Sequence, residues 1–353
     1  MDHEFPMKAP IASSSIGPGG SEDGRPLLSV VVPCFNEEEI VRDTGRRLAA
    51  VLEQAPLNFE IIYVDDGSSD STPELLRQLQ ESDEHVRVVR FSRNFGHQMA
   101  ITAGLEHASG DAVVIIDADL QDPPEVILEF IGKWMDGYDV VYGVRAEREG
   151  ETAFKLWTAK AFYRCIARLS DTRIPVDTGD FRLMDRRVVN ALLEMPERDR
   201  FVRGMVSWLG FSQVGVSYRR EARTAGSTKF SFFKMLRFAM DGIFSFSVLP
   251  LRIATWTGFA ASGIAILGIV IAVIERLFGV HGLVKGWTSI LIAVLFIGGV
   301  QLICMGIIGE YVGRTYGESK RRPLYVLRER IGFEARDARS PQQRRARITA
   351  VKG

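Results

Sequence analysis

From Leu27 to about Arg145, short apolar runs alternate with helical stretches, and this alternation constrains the fold more than any other feature of the chain. The apolar runs are Leu28–Val32, Phe59–Val64, Val86–Phe91, Ala112–Ile116 and Val140–Tyr142. The helical stretches between them are Glu37–Gln54, Thr72–Ser82, Gln98–Ala108 and Pro124–Asp136. A repeated strand–helix order predicts an α/β fold, with a mostly parallel sheet and helices on both faces.

The fourth apolar run ends in a cluster of acids, Asp117-Ala-Asp119-Leu-Gln121-Asp122. Open α/β sheets bind ligands at the carboxyl ends of their strands, which is where this cluster falls. Two carboxylates at the end of a buried strand are costly without a cation, and such oxygen ligands hold Mg²⁺ or Mn²⁺ together with substrate phosphates. We therefore predict a metal site at Asp117 and Asp119, with a solvated acidic turn as the alternative. Asp122 is predicted to cap the helix that follows.

The turn after the first run reads Pro33-Cys-Phe-Asn-Glu37 and continues with two more glutamates. It lacks the Gly-X-Gly-X-X-Gly pattern whose backbone amides hold a pyrophosphate in dinucleotide-binding folds, which argues against NAD. Its acids would repel a phosphate. They suit hydrogen bonding to a base or a ribose instead.

The turn after the second run, Asp65-Asp66-Gly-Ser-Ser69-Asp70, is also acidic. Ser69 or Asp70 is predicted to cap the next helix. Asp65 and Asp66 are ligand candidates, because the strand delivers them to the same edge of the sheet. A nucleotide could bridge the two acid clusters, with its base beside Asp65 and Asp66 and its diphosphate on the metal.

Two long apolar runs nearer the C-terminus, Ile253–Ile274 and Ser289–Ile308, each have about the 20 residues that a membrane-crossing helix needs. Buried helices of a soluble domain are the alternative, but two such runs close together favour a transmembrane hairpin. Basic residues flank the pair, at Arg252 on one side and from Arg314 to Arg322 on the other. The positive-inside rule therefore predicts an inner-membrane, multi-pass protein with its catalytic domain and both termini in the cytoplasm.

The remaining segments are assigned by composition. Three widely spaced cysteines exclude a disulfide framework or a zinc quartet and suit a reducing compartment. A Phe- and Leu-rich segment with interspersed cations precedes the hairpin and is predicted to be an interfacial amphipathic helix, with a core helix as the alternative. The predicted segments are a disordered N-terminus (1–26), a catalytic domain (27–228), the amphipathic helix (229–250), the hairpin (251–313) and a basic tail (314–353).

Four motifs occur in order along the catalytic domain: Val31-Val-Pro-Cys-Phe-Asn-Glu-Glu38, Val64-Asp-Asp-Gly-Ser-Ser-Asp70, Ser92-Arg-Asn-Phe-Gly-His-Gln98 and Ile116-Asp-Ala-Asp-Leu-Gln-Asp-Pro-Pro124. Together they resemble family 2 glycosyltransferases of the GT-A fold. Within that family the chain is similar to the bacterial polyprenyl-phosphate glycosyltransferases, relatives of dolichol-phosphate mannose synthase. The resemblance covers about residues 27–330. The residues that it implies for nucleotide binding are Pro33, Glu37, Asp65 and Asp66, and those for the metal diphosphate are Asp117, Asp119 and Gln121.

The segment from Thr178 to Met184 resembles the acceptor-side motif of the family, which places an acid beside the reacting sugar. Asp180 is therefore the predicted catalytic carboxylate, and Asp177 is an alternative. Taken without the resemblance, Asp180 reads equally well as a strand-edge acid paired with Arg182.

A basic segment with glycine and hydroxyl groups runs from Arg219 to Phe230 and is suited to hold a phosphate at a membrane surface, with a solvated basic flank as the alternative. The resemblance implies that Arg223 and Lys229 contact the lipid phosphate or the leaving diphosphate. His97 has no evident partner in the sequence and receives no role.

These features predict a metal-dependent, inverting glycosyltransferase that moves one sugar from a nucleotide diphosphate sugar, with UDP-glucose favoured, to a polyprenyl phosphate such as undecaprenyl phosphate. A GDP-mannose-dependent enzyme is the first alternative. A processive polysaccharide synthase fits less well, because the chain lacks a Gln-X-X-Arg-Trp motif. No nucleic acid partner is expected. Gly309, Gly313 and Gly317 recur at the spacing that lets helices pack closely, which favours a homo-oligomer.

Overall fold

A computed structural model describes residues 24–145, 178–219, 249–277 and 287–333, and within them eight strands form one mixed sheet. The strands are β1 (Leu27–Cys34), β2 (Asn58–Asp65), β3 (Val86–Phe91), β4 (Ala112–Ile115), β5 (Val140–Arg145), β6 (Thr178–Asp185), β7 (Gln213–Tyr218) and β8 (Leu327–Ile331). The helices are α1 (Val41–Leu52), α2 (Thr72–Ser82), α3 (His97–His107), α4 (Val126–Met135), α5 (Arg186–Glu194), α6 (Val202–Trp208), α7 (Leu249–Leu277) and α8 (Trp287–Ser319).

The strand order across the sheet is β7-β5-β6-β4-β1-β2-β3-β8. Strand β1 pairs in parallel with β2 and β4, β2 with β3, and β5 with β7. Strand β6 lies antiparallel between β4 and β5, and β8 lies antiparallel on β3. The predicted mostly parallel α/β sheet is confirmed. The direction of β6 matters for function, because it brings the start of β6 beside the end of β4.

Helices cover both faces of the sheet because its central strands are apolar on both sides. Val30 belongs to a buried cluster that includes Leu48 of α1 and Phe130 of α4. The neighbouring Val31 points to the other face, against α3: a Cβ atom added to Gly104 would lie 2.1 Å from Val31 Cγ1. Glycine at this position therefore lets α3 pack directly on β1, and this packing fixes the helix that begins at His97.

Two of the sequence predictions about this region are corrected. The helix predicted from Glu37 begins at Val41, because the residues before it form a turn that bonds to the neighbouring loop. Asp122 does not cap α4, which begins at Val126 with Glu125 at its N-cap position. The Asp122 carboxylate, 1% exposed, instead accepts a hydrogen bond of 2.5 Å from the Tyr218 hydroxyl. The prolines at 123 and 124 separate it from the helix.

Two elements were not predicted. Helix α5 follows β6 directly and is capped by Asp185, whose side chain accepts a hydrogen bond from Arg187 N. Strand β8 lies within the stretch that the sequence analysis included in the basic tail, and it forms one edge of the sheet. Its alternating charges suit an edge strand, which pairs on one side only.

Helices α7 and α8 belong to the second of two compact units, and they contact each other where Cys304 Sγ lies 3.8 Å from Ala254 O. Among the described residues, the segment Phe296–Ser319 is long and apolar enough to cross a membrane, and the apolar stretch Ile253–Gly268 is shorter. Large apolar side chains on both helices, such as Trp256 and Leu302, are exposed. The two-helix hairpin and its orientation stay predictions. The predicted amphipathic segment lies outside the described residues except for its last two, Leu249 and Pro250, which begin α7.

Candidate active site

The acids that follow separate strands meet at one edge of the sheet. Strands β1, β2 and β4 end there, and β6 begins there, with Arg182 paired to Ile115 at the end of β4. A cleft of about 350 Å³ lies at this edge. The predicted site residues that line it are Pro33, Glu37, Asp66, Asp117 and Asp119.

The turns after β1 and β2 are joined by hydrogen bonds. Asn36, held at a φ of 56°, donates from its backbone N to Ser68 Oγ at 2.9 Å. Glu37 N donates to Thr72 Oγ1 at 2.8 Å. The cap predicted at Ser69 or Asp70 is wrong, because Ser71 is the N-cap residue of α2; Asp70 precedes it, and its Oδ1 accepts a hydrogen bond from Thr72 N at 3.0 Å. The wall of the cleft that carries Glu37 is therefore fixed by the loop after β2.

Asp65 and Asp66 have different surroundings. Asp66 lines the cleft, and its two oxygens accept hydrogen bonds from Phe95 N at 2.6 Å and Gly96 N at 2.9 Å. Burial raises the pKa of Asp66, and these two hydrogen bonds oppose the shift. Asp65 is fully enclosed behind the cleft, where it accepts a hydrogen bond from Ser68 N and lies 3.1 Å from Arg90 Nε. Its contact with a nucleotide stays a prediction.

We expect Gly67→Ala to loosen this corner of the site. Gly67 has a φ of 70°, and a Cβ there would lie 2.4 Å from the backbone carbonyl carbon of Arg93, so both strain and a clash with backbone oppose any side chain. The free energy of unfolding should fall by about 2–4 kcal/mol, and the fall should appear as a lower thermal unfolding temperature in detergent. The matched control is Gly137→Ala, where φ is 99° but nothing lies within 4 Å of the added Cβ. Equal costs for the two variants would contradict the clash.

Asp117 and Asp119 extend from the end of β4 into the cleft. The Asp117 side chain is 33% exposed, yet its Oδ1 is enclosed and accepts no hydrogen bond within the described part of the chain. Burial raises the pKa of Asp117 to about 6; His97 opposes this shift, and Asp180 adds to it. Between the two acids and Gln121, Leu120 adopts a φ of 52°, and Asp119 Oδ1 accepts a hydrogen bond from Gln121 N at 3.2 Å.

These carboxylates fit a divalent cation that takes its other ligands from phosphates. Mg²⁺ is commonly held by one or two protein carboxylates together with substrate phosphates, and Asp117 provides an enclosed oxygen without a hydrogen-bond donor. Among the described residues, no group of three or more His, Cys, Asp or Glu side chains is placed to hold a metal by itself. The other ligands of a cation held by these carboxylates would be phosphate oxygens and water.

Asp180 lies at the other side of this cluster and is 8% exposed. Its Oδ2 accepts hydrogen bonds from His97 Nε2 and Gln98 Nε2, both at 3.2 Å, and its Oδ1 accepts one from Arg203 Nε at 3.1 Å. Burial alone would raise the pKa of Asp180, but the His97 hydrogen bond and the charge of Arg203 lower it below its usual range. Asp180 is thus an enclosed carboxylate that stays ionised.

His97 is the main site residue that the sequence analysis missed. Its Nε2 lies 3.2 Å from Asp180 Oδ2 and 3.6 Å from Asp117 Oδ1, so the imidazole sits between the predicted catalytic acid and a predicted metal ligand. A carboxylate only accepts, so Nε2 carries the proton in this contact. Burial lowers the pKa of His97, but the Asp180 hydrogen bond and the Asp117 charge raise it above its usual value overall. The sequence feature that could have identified His97 as a site residue is its position inside the third motif.

Arg203 and Gln98 were missed as well, because their partners are distant in sequence. Arg203 also donates from Nη1 to Thr178 O at 2.8 Å, and Gln98 accepts from Val202 N at 2.9 Å. The pairing of Asp180 with Arg182, which the sequence left open, is replaced by pairing with Arg203. Arg182 is buried and donates to Gly179 O at 3.0 Å, and burial lowers its pKa to about 10. The predicted residues outside the described ranges are Asp177, Arg223 and Lys229.

Residues 29–193 match the family model described as glycosyl transferase family 2. The chain is also 49% identical over 306 residues to an uncharacterized glycosyltransferase, YkcC, of Bacillus subtilis strain 168, with 87% of this chain and 94% of that protein covered. The chain belongs to glycosyltransferase family 2. Family 2 membership agrees with acids at three strand ends facing one cleft.

This glycosyltransferase is also similar to two proteins whose names state an activity. It is 43% identical over 302 residues to a protein of Shigella phage SfV named bactoprenol glucosyl transferase, with 85% of this chain and 98% of that protein covered. It is 20% identical to glucosyl-3-phosphoglycerate synthase from Mycobacterium tuberculosis, whose crystal structure is a complex with Mn²⁺, UDP and phosphoglyceric acid. That likeness covers 63% of this chain and 78% of the other, with a TM-score of 0.44.

Proposed function

We propose that this glycosyltransferase moves one sugar from a nucleotide diphosphate sugar to a polyprenyl phosphate, with UDP-glucose as the donor and undecaprenyl phosphate as the acceptor. The observation that carries the proposal is the enclosed Asp180, which faces Asp117 across His97, a residue that lines the cleft. Likeness to a protein named bactoprenol glucosyl transferase over nearly its whole length supports the choice of sugar and lipid.

In this proposal the nucleotide lies on the wall formed by Pro33, Glu37 and Asp66. Asp117 and Asp119, with Gln121 beside them, hold Mg²⁺ or Mn²⁺ against the donor diphosphate. When bound, the cation supplies positive charge that stabilises the departing diphosphate. The acids of the β1 turn suit hydrogen bonding to the base or ribose, because carboxylates accept hydrogen bonds and repel phosphates.

Asp180 acts on the sugar side. An acceptor phosphate is already anionic and needs little deprotonation, so the carboxylate serves mainly to stabilise positive charge that develops on the sugar and to orient the acceptor. The hydrogen bonds from His97, Gln98 and Arg203 hold it in one position. Attack from the face opposite the diphosphate inverts the anomeric carbon and gives a β-linked lipid-phosphate sugar from an α-linked donor.

The lipid phosphate is proposed to meet Arg223 and Lys229 at the cytoplasmic surface of the inner membrane. The amphipathic segment 229–250 and the hairpin 251–313 would keep the active site at that surface, and the apolar segment Phe296–Ser319 is compatible with this arrangement. Oligomerisation through the glycine-spaced face of α8 is part of the same proposal.

The deciding experiment incubates membranes containing the full-length protein with undecaprenyl phosphate, Mg²⁺ or Mn²⁺ and each of four labelled donors. The donors are UDP-glucose, UDP-galactose, GDP-mannose and a UDP-4-amino-arabinose derivative. We expect label from UDP-glucose in a lipid-phosphate monosaccharide, and none with the Asp119→Asn variant. If label is transferred from GDP-mannose alone, GDP-mannose is the donor and not UDP-glucose. Label in polymer without a lipid monosaccharide would favour a processive synthase.

A further inference from the structure

The segment Tyr325–Ile331, which includes β8, packs against β3 and the residue after it, although it lies more than 200 residues from the motifs that line the cleft. It pairs with β3, the strand that leads into the third motif. Ser92 N, the first amide after β3, donates to Val326 O at 2.9 Å. The segment therefore holds the start of the loop 92–96, which carries the cleft residues Asn94 and Gly96.

Contacts among three aromatic rings link the segment to that loop. Tyr325 stacks on Phe91 with ring centroids 4.8 Å apart, and Phe95 meets Phe91 edge-on at 5.7 Å. The Tyr325 hydroxyl also bonds to Glu106 of α3, so the tyrosine is held at both ends. Phe95 N is one of the two amides that donate to Asp66. Tyr325 thus supports, through Phe91, the backbone that Asp66 binds.

A second link runs through charged groups. Glu329 accepts a hydrogen bond from Arg90 Nη1 at 3.1 Å and lies 3.3 Å from Arg77 Nη2. The other side of the Arg90 guanidinium, Nε, lies 3.1 Å from the fully enclosed Asp65 Oδ2. An enclosed carboxylate needs a fixed cation, and Glu329 fixes that cation from the opposite side.

We propose that Tyr325 and Glu329 are positioning residues for the donor side of the cleft, acting through the loop 92–96 and through Arg90 on Asp65. This inference rests on the proposed function, since it assigns the wall at Asp66 to the nucleotide. It adds that residues that follow α8 in the sequence help to set the affinity for the donor. The chemical step at Asp180 should depend on them little.

The test uses the full-length protein with Tyr325→Ala and Glu329→Gln. We expect each to raise the KM for the donor roughly 2- to 30-fold, the range for substitutions in a coupled network, and to leave kcat at saturating donor within about twofold. Hydrogen exchange at Phe95 N and Gly96 N should become faster in Tyr325→Ala, because the loop that carries both amides loses its aromatic support. The dissociation constant for UDP, measured with Mn²⁺, should rise in parallel with KM.

Two matched controls accompany these variants. Tyr325→Phe keeps the ring stack but loses the bond to Glu106, so its KM should fall between those of the wild type and Tyr325→Ala. Arg328→Gln removes an exposed charge from β8 and should change nothing. Unchanged exchange in Tyr325→Ala or an unchanged KM in Glu329→Gln would overturn the inference, as would a fall in kcat with KM unchanged in either variant. Absence of lipid-linked product from the wild type would overturn the proposed function alone, because exchange and UDP binding are measured without the acceptor.

Discussion

Asp180→Asn is expected to lower kcat by about 10²- to 10³-fold, the loss typical of removing one group that stabilises transition-state charge. Asparagine keeps the shape of the side chain and removes the negative charge that faces the developing positive charge on the sugar. Its amide nitrogen replaces one of the two carboxylate oxygens, so it faces the donor of either His97 or Arg203 and cannot accept that hydrogen bond. The measurement is the rate of lipid-linked sugar formation at saturating donor and acceptor.

The control for this substitution is Asp136→Asn, which changes an exposed acid at the end of α4 in the same chemical way. It should retain wild-type kcat. Nucleotide binding separates chemistry from folding: Asp180→Asn should bind UDP with Mn²⁺ about as well as the wild type does. If Asp180→Asn keeps more than about a tenth of the wild-type kcat, Asp180 is not the catalytic carboxylate.

Asp117→Asn is expected to have opposite effects on activity and on stability. Activity should fall by about 10²-fold or more, because the substitution removes a predicted ligand of the metal diphosphate. The free energy of unfolding, measured with EDTA at pH 7, should rise by about 1–2 kcal/mol, because an enclosed carboxylate oxygen without a donor is removed. Because one third of the Asp117 side chain is exposed to solvent, which screens its charge, this gain is smaller than the full pKa shift would give.

The pH dependence of stability provides an independent measurement. The pKa of Asp117 is raised to about 6 in the folded protein, above its value of about 3.9 in an unfolded chain. The group therefore contributes stability that is fully present below about pH 4 and is lost as pH rises through about 6. Urea unfolding of the metal-free wild type at pH 5 and pH 7 should show this loss, and Asp117→Asn should lack it. A variant less stable than the wild type at pH 7 would contradict the argument, and Asp136→Asn serves again as the control.

The acids at the strand ends could be predicted because parallel strands deliver their carboxyl ends to one edge. Asp66, Asp117 and Asp119 meet in one cleft for this reason. Asp180 joins them because β6 runs antiparallel and begins where β4 ends. The family motif gave its position, whereas the direction of β6 could not be derived from an apolar pattern alone.

The partners of these acids could not be predicted, because they depend on packing between distant segments. His97 meets Asp180 from 83 residues away, and Arg203 reaches it from α6. Strand β8 escaped prediction because its charged sequence, Leu-Arg-Glu-Arg-Ile, resembles a solvated tail. The pairing with β3 is what distinguishes this strand from a solvated tail. Asp122 was misassigned because the tyrosine that binds it lies 96 residues further along the chain.

The edge position of β8 has a practical consequence for isolating the catalytic part of the protein. The sheet unit contains residues both before the helices α7 and α8 and after them, from Pro323 onward. A single cut ahead of α7 would remove β8 and leave β3 with an open edge, which favours aggregation through strand pairing. A soluble catalytic domain therefore has to be designed by joining the two stretches with a linker in place of the helices. In engineering terms, the helices are an insertion in the catalytic domain and not an appendage to it.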